Sequence, residues 1–422
     1  MRTGLLLLVA FALLARPAHA SGDDTIEEIG DIIQIVIPAT AAIVPAVKRD
    51  WNGFGQFALN FGATMGTVGL AKLVVDKRRP NEANNLSYPS GHTAASFSGA
   101  AFLGSRYGAA WGVPAYVGAL FVGYSRVQAD AHYGDDVLAG ASVALLYNWA
   151  ITKPFPEKLQ FRITRQPQGY AFGWKWNLDY EDKWLTEEDK TFQPQFKSDV
   201  EFGATWTAAQ SVQAPPGTGD EIDVETGDFG RVDEPFATTR VALSWFYLPR
   251  HALALIINPF EERDIGVFSE PKNFNGIVLP ANTEIRAANV NYDIRLRYLY
   301  DLTPRSRWIV KIGGGVSFQY LEYEFRAESG EGSKVSDFVV LPVVSFELGY
   351  QISEKWSVRL ELEGFYLDSD TLIDSAALIQ WQFGRQWDLK LGYRWITRDV
   401  NVSSFESKLD QNRIFLGFGY QW

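Results

Sequence analysis

The chain has 422 residues, a formal charge of −11, no cysteine, and 14 tryptophans beside 18 tyrosines and 28 phenylalanines. That length exceeds one ordinary core and suits two domains. The lack of cysteine excludes disulfides, thiolate metal sites and cysteine nucleophiles together, and the acidic balance excludes the basic stripe that nucleic-acid binding needs, so no nucleic-acid partner is expected.

Residues 1–20 read as a secretory signal: Arg2 gives the positive start, residues 5–14 the apolar stretch, and Ala18, His19 and Ala20 a small-residue cleavage site. The apolar stretch is short of the roughly 20 residues a membrane span needs, so the mature chain is expected to begin near Ser21. From about Ile29 to Ile151 the chain is rich in Ala, Gly, Val and Leu, with apolar segments at 54–75, 93–104, 109–124 and 137–151. Such Ala-rich segments form helices more readily than strands. Each is either interrupted by polar groups such as Asn60 and Lys72 or short for a span. The expectation over residues 21–155 is therefore a compact helical domain with at most shallow membrane contact, followed by a linker over 156–195.

After Pro154 and Pro156 the pattern changes to period two, the spacing of strands whose faces meet different surroundings. Ile414, Leu416, Phe418, Tyr420 and Trp422 fall on one face of the last segment, with Arg413, Phe415, Gly417, Gly419 and Gln421 on the other. Ten candidate strands lie near 198–209, 237–248, 251–262, 287–302, 307–326, 337–352, 355–367, 374–383, 386–398 and 411–422. Tight joins at 249–250, 303–306, 353–354 and 384–385 alternate with longer polar loops. A soluble sandwich seldom needs strands beyond about ten residues. Long strands, apolar on one side with aromatics at their ends, suit a transmembrane barrel, because lipid requires every backbone group to be paired and closure achieves that. The expected fold is an all-α bundle followed, over 196–422, by an antiparallel transmembrane β-barrel of about ten strands, or twelve if the aromatic-rich segment 170–180 joins the sheet. So narrow a barrel would be filled by its own charged side chains and act as an anchor more than a pore.

Three blocks of the helical half carry candidate chemistry. They are Lys72 with Arg79-Pro80; then Pro89-Ser90-Gly91-His92; then Ser125-Arg126 with His132 and Asp136. A phosphoryl dianion spreads its charge over three oxygens and needs several donors, which Lys72, Arg79 and Arg126 could supply. Ser90 offers a hydroxyl and Gly91 an unshielded backbone N–H. His132 and Asp136 are four apart, so a helix beginning here would put both on one face, where a carboxylate fixes the imidazole's tautomer. The neighbouring Asp135 lacks that spacing. Each block alone has an ordinary explanation: a solvated basic patch, a turn capped by Ser90 or Thr93, a helix pair. Their occurrence in this order within one short stretch is what makes coincidence improbable.

The three blocks resemble the signature of the phosphatidic-acid phosphatase type 2 superfamily, which includes bacterial acid phosphatases and vanadium haloperoxidases. The likeness covers roughly residues 50–152. It implies His132 as nucleophile, Asp136 as its orienting partner, and His92 as general acid and then base for water. It implies Lys72, Arg79, Ser90, Gly91 and Arg126 as the phosphate cradle, with no metal and no cofactor. Typical members end near the helical domain, so the strand-rich half leaves substrate and location open. The expected enzyme is a metal-independent phosphatase of the periplasm, tethered to the outer membrane by its barrel and facing the inner leaflet. Phosphorylated lipids there are the natural substrates: phosphatidate, phosphatidylglycerophosphate, prenyl pyrophosphate or lipid A. Two rivals remain at this stage, a vanadium-dependent haloperoxidase and a transport or structural barrel carrying a vestigial phosphatase domain.

Overall fold

The computed structural model describes residues 23–155, 194–224, 235–304, 306–367 and 370–422. The expected signal at 1–20, nearly all of the linker at 156–195 and the segment 170–180 lie outside the described residues. Five helices come first: α1 (Asp23–Val47), α2 (Trp51–Val74), α3 (Gly91–Tyr107), α4 (Ala109–Gln128) and α5 (Gly134–Ile151). α1 is the helix that the sequence pattern does not announce, because Pro38 and Pro45 lie inside it and proline usually ends or kinks a helix. α2 starts where Asp50 accepts a hydrogen bond from the Gly53 N–H at 2.9 Å, the ordinary use of an N-cap carboxylate. Two glycines set how closely the helices approach. A Cβ on Gly112 of α4 would lie 2.5 Å from Gly104 Cα of α3, and one on Gly140 of α5 would lie 2.4 Å from the Ser90 carbonyl oxygen.

The second half is a closed antiparallel barrel of ten strands: β1 (Gln195–Gln213), β3 (Phe236–Leu248), β4 (His251–Val267), β7 (Glu284–Asp301), β8 (Trp308–Ala327), β9 (Gly332–Gln351), β10 (Trp356–Leu367), β11 (Asp370–Gln382), β12 (Trp387–Asn401) and β13 (Glu406–Gln421). β13 returns to pair with β1, from Lys197↔Gln421 to Gln213↔Glu406, so the sheet has no open edge. The short β2 (Glu221–Asp223) adds to β1, and β5 (Lys272–Phe274) with β6 (Ile277–Leu279) forms a hairpin above the wall. Each of the ten strands read from period-two alternation is found, and most run a few residues further at one end.

The two faces of the wall differ as a lipid-facing barrel requires. Leu253, Leu296, Ile312, Phe338, Val340, Val344, Leu360, Leu391, Ile414 and Leu416 point outward and are exposed. The lumen is filled with paired charges. Buried Arg295 contacts Asp293 at 2.5 Å, Glu363 at 2.7 Å and Asp374 at 2.8 Å. Arg394 contacts Asp374 at 2.6 Å and Glu201 at 3.2 Å, and Arg240 reaches Glu201 at 3.0 Å. Towards the long-loop end the filling turns apolar, with Phe268, Phe274, Leu279, Leu321, Phe325, Leu372, Val400 and Phe405 buried together.

The helices lie along the outside of this wall. Residues 238–243 of β3 and 254–261 of β4 are buried on both faces, and Leu138 of α5 packs with Val200, Val241, Leu243, Leu255 and Ile257. At the end carrying the short turns, Trp149 stacks on Tyr420 with centroids 5.4 Å apart and meets Trp422 edge-on at 4.9 Å. At the long-loop end, Arg263 of β4 pairs with Asp130 at 2.7 Å and donates to the Pro80 carbonyl at 3.1 Å, while Tyr88 and Thr239 share a hydroxyl bond of 2.8 Å. The sequence expectation was a separate domain tethered to the barrel. The two halves instead stand side by side, because α5 and the outer face of β3 and β4 bury one common apolar surface.

Candidate active site

The sequence-selected residues converge on the long-loop end of the bundle. His132 sits in the turn between α4 and α5, 1% exposed. Its backbone N–H donates to the Arg126 carbonyl at 3.1 Å, which fixes the turn. Its Nδ1 lies 3.5 Å from Asp136 Oδ2, at the limit of a hydrogen bond, and its Nε2 has no partner among the described residues. A buried polar group without a partner is uncommon and calls for a reason, and a group held ready for reaction is one.

The expectation that one helix carries both His132 and Asp136 needs correction. α5 begins at Gly134, so His132 precedes it and only Asp136 lies in its first turn. Asp136 accepts from the Tyr133 N–H at 2.9 Å, from Ser87 Oγ at 2.5 Å and from Lys77 Nζ at 2.9 Å. The spacing of four thus serves a capping carboxylate that reaches back to the imidazole before the helix, a geometry as short in sequence as a helical pair.

Lys77 lies in the same region but outside the three blocks selected from the sequence. It is buried between Asp135 at 2.7 Å and Asp136 at 2.9 Å. Burial alone would lower its pKa, but the two carboxylates outweigh burial and raise it, so the ammonium stays charged. For His132 burial is the largest influence and lowers the pKa; Asp136 opposes it, and the cations Arg79 and Lys72 add to it. These influences together favour the uncharged imidazole, the form in which a ring nitrogen keeps its lone pair.

The cradle residues gather around this ring. Lys72 of α2 donates to the Leu86 carbonyl and, at 3.5 Å, to that of Ser87. Arg79 is anchored by Asn84 Oδ1 at 3.0 Å and by the carbonyl of Ala131 at 3.4 Å, next to His132. Ser90 caps α3, its Oγ accepting from the Thr93 N–H at 3.4 Å, and Gly91 opens the helix with a Cβ position no nearer than 3.9 Å to Val68 and 4.0 Å to Lys72. Gly91 and His92 thus stand at the N-terminus of α3, the end of a helix that suits an anion. His92 is within electrostatic reach of Arg126, His132 and Arg79. All eight residues selected from sequence thus meet in one region.

Arg126 brings in two residues with no sequence signal. Glu27 accepts from it through its carbonyl at 2.9 Å, and Asp31 Oδ1 lies 2.9 Å from Arg126 Nη1 and 3.5 Å from His92 Nε2. Both belong to α1. A carboxylate oxygen here occupies the kind of position a phosphoryl oxygen would take between an arginine and a histidine.

Comparison with known proteins agrees with this geometry over the same stretch: residues 72–159 match the PAP2 superfamily. Residues 72–159 form a PAP2 superfamily domain. A curated relative, the lipid A 1-phosphatase of Porphyromonas gingivalis, is 28% identical over 184 residues, which is 37% of this chain and 41% of that protein. The chain therefore spans less than half of that relative's length. Among solved structures, LpxE of Aquifex aeolicus aligns with 34% of this chain and 92% of its own, at 21% identity and a TM-score of 0.29. The outer membrane protease OmpT of Escherichia coli aligns with 56% of this chain and all of its own, at 9% identity and a TM-score of 0.39. The PAP2 match contains each of the eight selected residues, whereas Glu27 and Asp31 fall before it. The remaining histidine of the described residues, His251, is far from this site, bonded to Tyr298 Oη at 2.7 Å at the short-turn rim.

Proposed function

We propose that this protein is a phosphatase acting on a phosphorylated lipid and held in an outer membrane by its barrel. The observation that carries the reading is the buried imidazole of His132, its Nδ1 facing Asp136 at 3.5 Å and its Nε2 without a partner among the described residues, with Lys72, Arg79 and Arg126 gathered around it. In the first step His132 Nε2 attacks phosphorus while Asp136 faces Nδ1, and the bond from phosphorus to the leaving oxygen breaks. His92 gives that oxygen its proton. In the second step His92 takes a proton from water, the resulting hydroxide attacks phosphorus, and the N–P bond breaks to release phosphate. Lys72, Arg79, Arg126 and the first N–H groups of α3 stabilise the charge on the three equatorial oxygens, so the residues at hand account for the electrostatics of a metal-independent reaction.

The lipid substrate is supported by the relative's name and by the apolar outer face that runs from the barrel wall to the helices. Outer-membrane location is supported by a closed wall, apolar outside, with short turns at one end and longer loops at the other. The domain limits that fit these roles are 21–155 for the phosphatase and 196–422 for the barrel. The test is phosphate release by the detergent-purified protein from phosphatidate, phosphatidylglycerophosphate, prenyl pyrophosphate and lipid A, with a chelator present. Turnover of at least one lipid by the wild type and none by a folded His132→Ala variant supports the reading. Equal turnover by both, or activity abolished by the chelator, contradicts it.

A further inference from the structure

The barrel supplies a ruler against which the depth of the site can be read. On the outer wall the apolar band ends towards the long loops at one ring of aromatics, Tyr292↔Tyr320 and Tyr320↔Phe338 in register. Beyond that ring the outward side chains are charged: Glu322 with Lys334 at 2.7 Å, and Glu324 with Arg326 at 2.8 Å. Towards the short turns the band ends at a second ring, with Trp308↔Tyr350, Trp356↔Trp381 and Trp387↔Tyr420 in register. Aromatic girdles of this kind mark the two membrane–water boundaries.

The helical domain is in register with both girdles. A Cβ on Gly134, the first residue of α5, would lie 3.2 Å from the Tyr292 ring, and Trp149 near the end of α5 stacks on Tyr420. The rise between those two positions is roughly 22 Å, close to the apolar band of about 25 Å that such barrels present. His132, two residues before Gly134, therefore stands at the long-loop girdle. The loop preceding α3 is fastened at or beyond that level, by Tyr88 to Thr239 and by Glu82 to Arg286 at 3.5 Å.

α1 and α2 continue the apolar wall. Both are long and apolar enough to cross a membrane, with only 28% and 22% of their apolar windows buried. On α2, Leu70, Leu73 and Val74 are 67%, 81% and 84% exposed beside the cradle residue Lys72. Exposed apolar surface of this extent, continuous with a lipid-facing wall, has lipid as its fitting neighbour. The earlier expectation of shallow membrane contact and an inner-leaflet site does not fit this arrangement.

We infer that the five helices lie within the bilayer beside the barrel and that the phosphatase site opens into the leaflet on the long-loop side. In outer-membrane barrels that side faces away from the cell. The substrate is thus a phosphate-bearing lipid of the outward leaflet, with its headgroup at the loop of residues 77–90 and its acyl chains along the exposed stripe of α2. This rests on the phosphatase reading for the substrate, while the depth and sidedness rest on the packing alone.

The natural absence of cysteine allows a test that does not depend on turnover. Single cysteines are placed at three exposed positions: Ala83 beside the site, Glu270 in a long loop and Glu354 in a short turn. Each folded full-length variant is treated on intact cells, and again after permeabilisation, with a membrane-impermeant maleimide. The expected result is that Ala83→Cys labels on intact cells as Glu270→Cys does, while Glu354→Cys labels only after permeabilisation. Labelling of Ala83→Cys only alongside Glu354→Cys, or in neither condition, overturns the inference, as does a Glu270→Cys that is shielded on intact cells. If the sidedness holds but no lipid is dephosphorylated, it is the phosphatase reading that fails.

Discussion

Asp136 reaches back from the first turn of α5 to His132, with Oδ2 3.5 Å from the imidazole Nδ1, while the same oxygen caps the Tyr133 N–H at 2.9 Å. One carboxylate thereby fixes the start of a helix and the orientation of the ring before it. Asp136→Asn keeps the size but can turn an NH₂ towards Nδ1 and favour the wrong tautomer. The expected outcome is a fall in kcat of about 10²-fold or more with KM changed little. A variant that loses only substrate affinity would show that Asp136 has no part in positioning the ring.

The pH dependence follows from His132. Burial, aided by Arg79 and Lys72, places its folded pKa below the ordinary value of 6.5, so the ring remains neutral as pH falls through 6.5 and is protonated only below that. The acid limb of kcat/KM against pH should accordingly have an apparent pKa under 6.5, while a separate alkaline limb reports loss of the proton that His92 gives to the leaving oxygen. An acid limb centred above 7 would contradict the assignment of His132 as the attacking base.

Asp31 holds Arg126 and faces His92, so an incoming phosphate must compete with a carboxylate already in contact. Asp31→Asn removes that competition. Because the Asp31 side chain is 48% exposed, solvent screens the pair and the gain is modest: orthovanadate or phosphate inhibition should tighten by about fivefold or less. Weaker inhibition in the variant would mean that Asp31 helps to bind the anion through its neighbours.

In the barrel, Arg295 serves three carboxylates, Asp293, Glu363 and Asp374. Arg295→Met would leave them without that cation and is expected to lower stability by about 3–5 kcal/mol. The readout is the denaturant midpoint of the heat-modifiable band in detergent, and an unchanged midpoint would show that the lumen network reorganises freely.

The chemistry was legible in the sequence because the cradle is local: Lys72 to Asp136 is one short stretch, and each of its eight selected residues arrives at the site. The barrel was legible because a wall with lipid on one side and a largely charged lumen on the other imposes alternation along most of its strands. Three features escaped for physical reasons. α1 is interrupted by two prolines, and its acidic residues meet Arg126 only after folding. Lys77 looks like one of three surface cations until two buried aspartates close around it. The position of the helices against β3 and β4 depends on the apolar outer face of those strands meeting Leu138 in place of lipid, and period-two alternation reads the same in either case.

The most direct test of the central claim is trapping by an alkaline detergent quench of the purified protein turning over a ³²P-labelled phospholipid substrate. The account predicts a transient protein-bound phosphate that is stable in alkali and labile in acid, maps to the peptide containing His132, and is absent from His132→Ala. Label on a serine, or steady turnover by His132→Ala, would contradict it.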